Sequence, residues 1–292
     1  MTRALAPALL VALLFVAPAE AYFERVDVDA RGLALAGSFG AAVEDVSAAH
    51  WNPAALSVLA RPEGIFTYSR PYMVEDLTSG SVVAGVPLAA GGAALSWHRL
   101  ALDGVVSEDL IGLSYGRWVY RDDHRVLHLG ATGKLAAVSF DAHAGGPDRD
   151  FGSKTRFTGD LGLLWQERTN WRFGAVLRNL GEPEFNFIGD GGGDKIPGGV
   201  ELSASYRWRP ESTVMLSRSD LGDHPAWNYA GEIWFYDVFA VRAGIYDEEF
   251  AGGIGVKGTR WEVDTAFLTH SMLGNTYRAS LRLSLPERGA RR

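Results

Sequence analysis

The stretch VELSASYRW, residues 200–208, alternates along its whole length. Val200, Leu202, Ala204, Tyr206 and Trp208 fall on one face of an extended chain, and Glu201, Ser203, Ser205 and Arg207 on the other. A period of two marks a strand with one apolar and one polar side. Its length is about the 9–11 residues that a tilted strand needs to cross a bilayer. The polar side therefore faces either bulk water or the inside of a membrane pore.

The pattern recurs. Tyr277, Ala279, Leu281, Leu283 and Leu285 oppose Arg278, Ser280, Arg282 and Ser284. Trp261, Val263, Thr265 and Phe267 oppose Glu262, Asp264 and Ala266, and Phe239, Val241, Ala243 and Ile245 oppose Ala240, Arg242 and Gly244. Strands are predicted near 63–70, 79–87, 90–99, 107–118, 125–142, 155–166, 170–179, 197–208, 212–219, 227–236, 238–246, 250–258, 260–269 and 276–285. The chain thus reads as all-β, with about fourteen strands and no helical period between them.

The connections separate the two alternatives. Tight turns at Pro87–Ala89, Arg121–His124, Glu167–Thr169, Arg209–Glu211, Asp237 and Thr259 alternate with mostly longer loops. Those loops run over Pro71–Thr78, Leu100–Val106, His143–Lys154, Leu180–Ile196 and Asp220–Ala226, with shorter ones near Asp247 and Ser271. All the tight turns then lie at one end, the layout of a transmembrane antiparallel β-barrel with an even strand number. Trp118, Tyr120, Trp171, Trp208, Tyr236 and Trp261 sit at strand ends beside the tight turns, where an aromatic girdle belongs. Leu77–Trp97 lacks charge but carries Gly80, Gly85, Pro87, Gly91 and Gly92, so two strands around Pro87 are expected rather than a membrane helix. The barrel is predicted over residues 63–285.

If the apolar side meets lipid, Arg172, Arg178, Glu201, Arg207, Glu232, Arg242, Lys257, Glu262, Asp264, Arg278 and Arg282 point into the lumen. Folding the turn at Asp237 sets Glu232 opposite Arg242. Folding the loop near 270–275 sets Glu262 near Arg282 and Asp264 near Arg278. Such pairs stabilise a wall; their role is read as structural.

Residues 1–21 have the pattern of a secretory signal peptide: Arg3, an apolar run from Ala4 to Val16, and Ala19-Glu20-Ala21 before cleavage after Ala21. Cysteine is absent, so no disulfide, acylated cysteine or thiolate metal site is available. A net charge of −7 without a basic cluster argues against a nucleic-acid partner. Residues 286–292 form a basic tail.

Three motif matches fail on context. Gly112-Leu113-Ser114-Tyr115-Gly116 fits G-x-S-x-G, but it lies inside a strand with no helix following. The Gly253–Gly258 match to G-x-G-x-x-G runs into a strand, not a helix. Gly189–Asp194 lacks the spacing of a calcium loop. The histidines show no ligand spacing, and the Asp27/Asp29 pair reads as solvated. No catalytic residue, metal site or cofactor is expected.

The stretch RGLALAGSFGAAVEDVSAAHWNPAAL, residues 31–56, resembles the opening of the PorV/PorQ family, which is similar to FadL-type outer-membrane transporters. The residues that carry the likeness are Gly32, Gly37, Asp45, Ala48, Ala49, Trp51, Asn52, Pro53, Ala54 and Leu56. It continues through VLRNLGEP (176–183), PGGVELSASYRW (197–208) and FAVRAGIYDEEFAGGIGVKGTRWEVDTAF (239–267). The resemblance implies a bacterial outer-membrane barrel, surrounded by lipid, whose N-terminal segment plugs the lumen. It implies a non-enzymatic role in protein secretion or as a surface scaffold, with an exported protein or secretion component as partner. The alternative it implies is a FadL-like passive transporter of hydrophobic small molecules such as fatty acids. The modest outward loops favour the PorV/PorQ side, and the chain lacks the terminal aromatic residue with which such barrels often end.

Residues 22–62 are thus expected to be a short helical plug. Asp45 is placed as the cap of a helix running through Ala49, and Asn52-Pro53 as the turn toward the first strand. Asp45, His50, Trp51, Asn52 and Pro53 are the candidate gate residues.

Overall fold

The computed structural model describes residues 23, 28–141, 151–168, 170–187, 193–221, 225–247, 249–270 and 273–286. The expected signal peptide, Asp27, most of the Gly189–Asp194 loop and the tail beyond 286 lie outside the described residues.

Among the described residues, fourteen strands form one closed antiparallel barrel. They are β1 (Glu63–Arg70), β2 (Leu77–Leu88), β3 (Gly91–Leu102), β4 (Val106–Arg121), β5 (Arg125–Phe140), β6 (Ser153–Glu167) and β7 (Trp171–Arg178). After a loop holding a two-residue ribbon, Glu184–Phe185 against Asp194–Lys195, come β8 (Gly199–Arg209), β9 (Ser212–Leu221) and β10 (Ala226–Phe235). The last four are β11 (Phe239–Tyr246), β12 (Glu249–Lys257), β13 (Trp261–Leu268) and β14 (Thr276–Ser284). Each strand pairs with its chain neighbours, and β1 closes the ring on β14 from Glu63↔Ser284 to Arg70↔Tyr277. Closure leaves no edge unpaired, which a sheet in hydrocarbon requires. The barrel read from alternation is the barrel observed. β4 runs on to Arg121, its register shifting between Trp118 and Tyr120.

Alternation sorts the side chains. In β10, Trp227, Tyr229, Ile233 and Phe235 are exposed on the outside while Asn228 and Glu232 are buried within. The outer surface is apolar almost throughout, with Leu95, Leu113, Leu161, Leu202, Val241, Ile254 and Leu283 all exposed. Trp118, Tyr120, Trp171, Trp208, Tyr236 and Trp261 ring the tight-turn end. A second ring, not singled out from the sequence, holds Tyr68, Trp97, Phe157, Trp227, Phe250 and Tyr277 toward the long-loop end. From Trp227 to Phe235 is about 27 Å of strand at ~3.4 Å per residue, which strand tilt reduces to roughly the 25 Å band of a membrane barrel. No helix among the described residues is long and apolar enough to cross a membrane.

The N-terminal segment packs inside the ring. It holds α1 (Ala30–Ala34), α2 (Ala48–Trp51) and a 3-10 turn over Pro53–Val58. Val43, Val46, Trp51 and Leu56 pack with Ile65, Val83, Ala94, Leu164 and Met215 of the wall. α1 packs on Ala251, Ala266 and Leu268. Asp29 caps α1, accepting from the Gly32 amide at 2.6 Å.

Asp45 does not cap α2. Ser47 holds the N-cap position with helical torsions and makes no side-chain cap bond. The Asp45 carboxylate instead accepts from the Ser47 amide at 2.9 Å and hydroxyl at 2.5 Å and reaches two arginines of the lumen. The nearby cations outbid a cap geometry, because a buried carboxylate gains more from a guanidinium than from one amide. Asn52 is extended (φ −160°, ψ 104°), and its side chain caps the 3-10 turn through the Ala54 amide at 3.1 Å. The proline that follows makes that extended conformation the favoured one.

Candidate functional site

The seat of the segment is cut from glycines. A Cβ at Gly92 would overlap the Leu56 carbonyl, one at Gly116 the Pro53 carbonyl, and one at Gly130 both Pro53 and Ala54. These wall positions on β3, β4 and β5 let backbone approach backbone. Asn52 then ties segment to wall: its Nδ2 donates to Gly40 O at 3.2 Å and to Leu163 O at 3.0 Å. Trp51 is buried, edge-on to Phe39 at 6.2 Å, with Nε1 donating to Asp29 at 3.4 Å. His50 stacks edge-on to Trp51 at 4.9 Å. Burial, then Arg178 and Lys134, hold the His50 imidazole well below its usual pKa, so it is neutral.

Two ionic clusters flank this seat. Toward the tight turns, Arg242 donates to Glu232 at 2.6 Å, to Asp264 at 2.5 Å and to Glu262 at 3.3 Å. Arg282 bonds Glu262 and lies 3.4 Å from Asp45. Arg31 joins the segment to the cluster, contacting Glu232 at 2.7 Å and Asp45 at 3.2 Å. Burial raises the Asp45 carboxyl, but Arg282 and Arg31 outweigh it and hold it below the usual range. For Asp29 the balance is reversed: burial, then Asp45, outweigh the Gly32 amide, the Ser47 hydroxyl and Arg31 and push it up to about 6. Toward the long loops, Arg178 donates to Glu201 at 2.8 Å and Trp51 O at 2.9 Å, and bonds His50 O. Lys134 meets Asp160 at 2.6 Å beside it.

Each charged residue expected in the lumen lies on the inward parity of its strand. Glu232 and Arg242 face each other directly across β10 and β11, and Glu262 faces Arg282 across β13 and β14. Asp264 and Arg278 are inward diagonal neighbours rather than a directly facing pair. The register sets Asp264 opposite Ser280 and Arg278 opposite Ala266, and Asp264 reaches Arg242 instead. Arg172 and Arg207 both bind Glu44. Lys257 pairs with Asp237 at 2.5 Å and lies over the Trp234 ring. Arg31, Glu44, Lys134 and Asp160 were not singled out. Lys134 and Asp160 could have been found from strand parity; Arg31 and Glu44 lie where no period exists. Ser114 is buried, and its hydroxyl bonds Thr132 Oγ1 at 2.8 Å and Ala49 O at 3.3 Å.

A cavity of about 120 Å³ separates the segment from the wall in the long-loop half. Phe23, Trp51, Leu110, Ile196 and Leu221 line it, with Lys134 and Arg178 at its polar side. At the tight-turn end the segment borders cavities of about 150 and 320 Å³, the first lined by polar and charged groups and the second largely by charged ones. No group of three or more potential metal ligands occurs among the described residues.

Residues 100–224, less than half of the chain, match a family model described as "F plasmid transfer operon, TraF, protein". No curated protein matches the chain. Among solved structures, a FadL homologue from Pseudomonas aeruginosa superimposes with a TM-score of 0.57 at 12% identity, covering 89% of this chain and 99% of that one. The toluene transporter TodX of Pseudomonas putida gives 0.56 at 10% identity, covering 88% and 97%. The outer-membrane protein Omp33 of Acinetobacter baumannii gives 0.50 at 7% identity, covering 77% and 98%. The chain carries the fold of FadL-like outer-membrane β-barrels.

Proposed function

We propose that this protein is an outer-membrane channel for small apolar molecules, with residues 28–59 as its plug. The observation that carries the proposal is the cavity between segment and wall, apolar on one side and polar on the other, in a barrel that superimposes on a toluene transporter over nearly its whole length. A closed barrel with an apolar outer band and two aromatic rings belongs in a bilayer. The plug is held against the wall by ion pairs, backbone seating and apolar packing, with no disulfide between them, so it can shift while the wall stays whole.

Deleting residues 31–56 should raise single-channel conductance in planar bilayers; unchanged conductance overturns the plug. Expression in a porin-depleted bacterial outer membrane should speed uptake of a toluene-sized hydrocarbon, and no gain over a control membrane overturns the channel.

A second reading draws on the dense ion pairing at the tight-turn end, which suits a closed lumen. On it, the barrel is a secretion-associated scaffold of PorV/PorQ type. Co-purification of a stoichiometric exported protein instead of a bound apolar molecule would select it.

A further inference from the structure

Arg172 on β7 and Arg207 on β8 are diagonal neighbours with inward side chains, since Arg172 pairs with Ser205. Two guanidinium groups so placed repel each other unless an anion lies between them. The anion present is Glu44 of the N-terminal segment, which Arg172 bonds closely and Arg207 holds at 3.0 Å. Two features mark this as more than a static ion pair. The Glu44 side chain is 44% exposed, so its bond is open to competition from the mouth. The pair also has unused capacity: Arg172 Nη1 is buried and accepted by no partner, beside a cavity of about 150 Å³. Gln166, Asn170 and Ser205 add amide and hydroxyl groups to the cavity wall, and of its two carboxylates Glu232 is already engaged by Arg31 and Arg242 and Glu167 lies near Arg125. A forked guanidinium matches a carboxylate in two parallel bonds, and the resting occupant is itself a carboxylate.

We propose that Arg172 and Arg207 form a carboxylate-binding clamp at the tight-turn mouth, occupied at rest by Glu44, and that a carboxylate arriving there displaces Glu44 and loosens this edge of the segment. The clamp does not depend on what passes through the lumen. Arg31 and Asp45 hold the neighbouring backbone through separate ion pairs, so displacement frees one edge and not the whole segment.

The chain has no cysteine, so A42C places one thiol at this cavity, where Ala42 is buried. The full chain in detergent is alkylated with an uncharged maleimide in sodium succinate or in chloride of equal ionic strength. Succinate should speed labelling saturably, by about fivefold or more, the low end of ordinary coupling. With E44Q added, labelling should be fast in chloride and should change little with succinate. Should E44Q fail to show the heat-modifiable gel shift of a folded barrel, R172Q/R207Q replaces it, and the saturable response should vanish. Equal rates in succinate and chloride for A42C, or a saturable response that survives R172Q/R207Q, overturn the clamp.

Discussion

Gly130 has no room for a side chain because Pro53 rests on it: a Cβ there would stand 2.5 Å from the Pro53 carbonyl oxygen. G130V should therefore unseat the segment while leaving the wall closed. Overpacking of this kind costs about 1–3 kcal/mol. Conductance should rise and the barrel should lose heat resistance on gels. A variant with wild-type conductance would show that the segment tolerates lifting.

Arg242 serves three carboxylates, and its side chain is fully buried. R242M would leave Glu232, Glu262 and Asp264 without their shared cation. Breaking a buried ionic group from one side costs about 3–5 kcal/mol, readable as a lower denaturant midpoint in vesicles. R242K should recover only part of that loss, because one compact ammonium nitrogen cannot span three carboxylates that bond three separate guanidinium nitrogens. Restoration of neutrality by E232Q/E262Q/D264N should make the R242M loss smaller.

Asp29 gives the docked segment a pH dependence. Its carboxyl rises from 3.8 to about 6 on docking, so between those values the docked form binds more protons than the free form. Docking is tightest below pH 4 and weakens as pH rises through 6. Protection of segment amides from hydrogen exchange should fall across that window in the wild type. In D29N, which keeps the α1 cap without a titratable charge, it should stay level near the wild type's low-pH value.

Leu113 is 67% exposed at the middle of β4 on the apolar face. L113R should cost about 2–4 kcal/mol if that face meets the centre of a bilayer, measured by folding into lipid vesicles against denaturant. A change below the error of the titration would take this face out of lipid.

The wall was legible because its information is local. Parity alone separates Glu201 from Leu202 and Arg242 from Val241, and loop length alone gives the two ends. What parity does not carry is register over longer reach. Folding one hairpin brings Asp264 toward Arg278, yet the arginine it bonds, Arg242, lies two strands away. The interior segment was less legible still. Its small residues show no period, so the roles of Arg31 and Glu44 follow only from which strands surround them. Local sequence offers Asp45 only a helix-capping task, since the arginine that competes for it, Arg282, lies at the far end of the sequence.

The glycine seat also divides the burden of inheritance unequally. Gly92, Gly116 and Gly130 read the main chain of residues 53–56, not its side chains. The side chains there carry their own constraint, since Ala54, Ala55 and Leu56 are buried against the wall, but each of the three glycines admits almost no substitute at all. A sequence comparison should find these three wall positions held as glycine, with residues 53–56 limited to side chains small or apolar enough for their pocket.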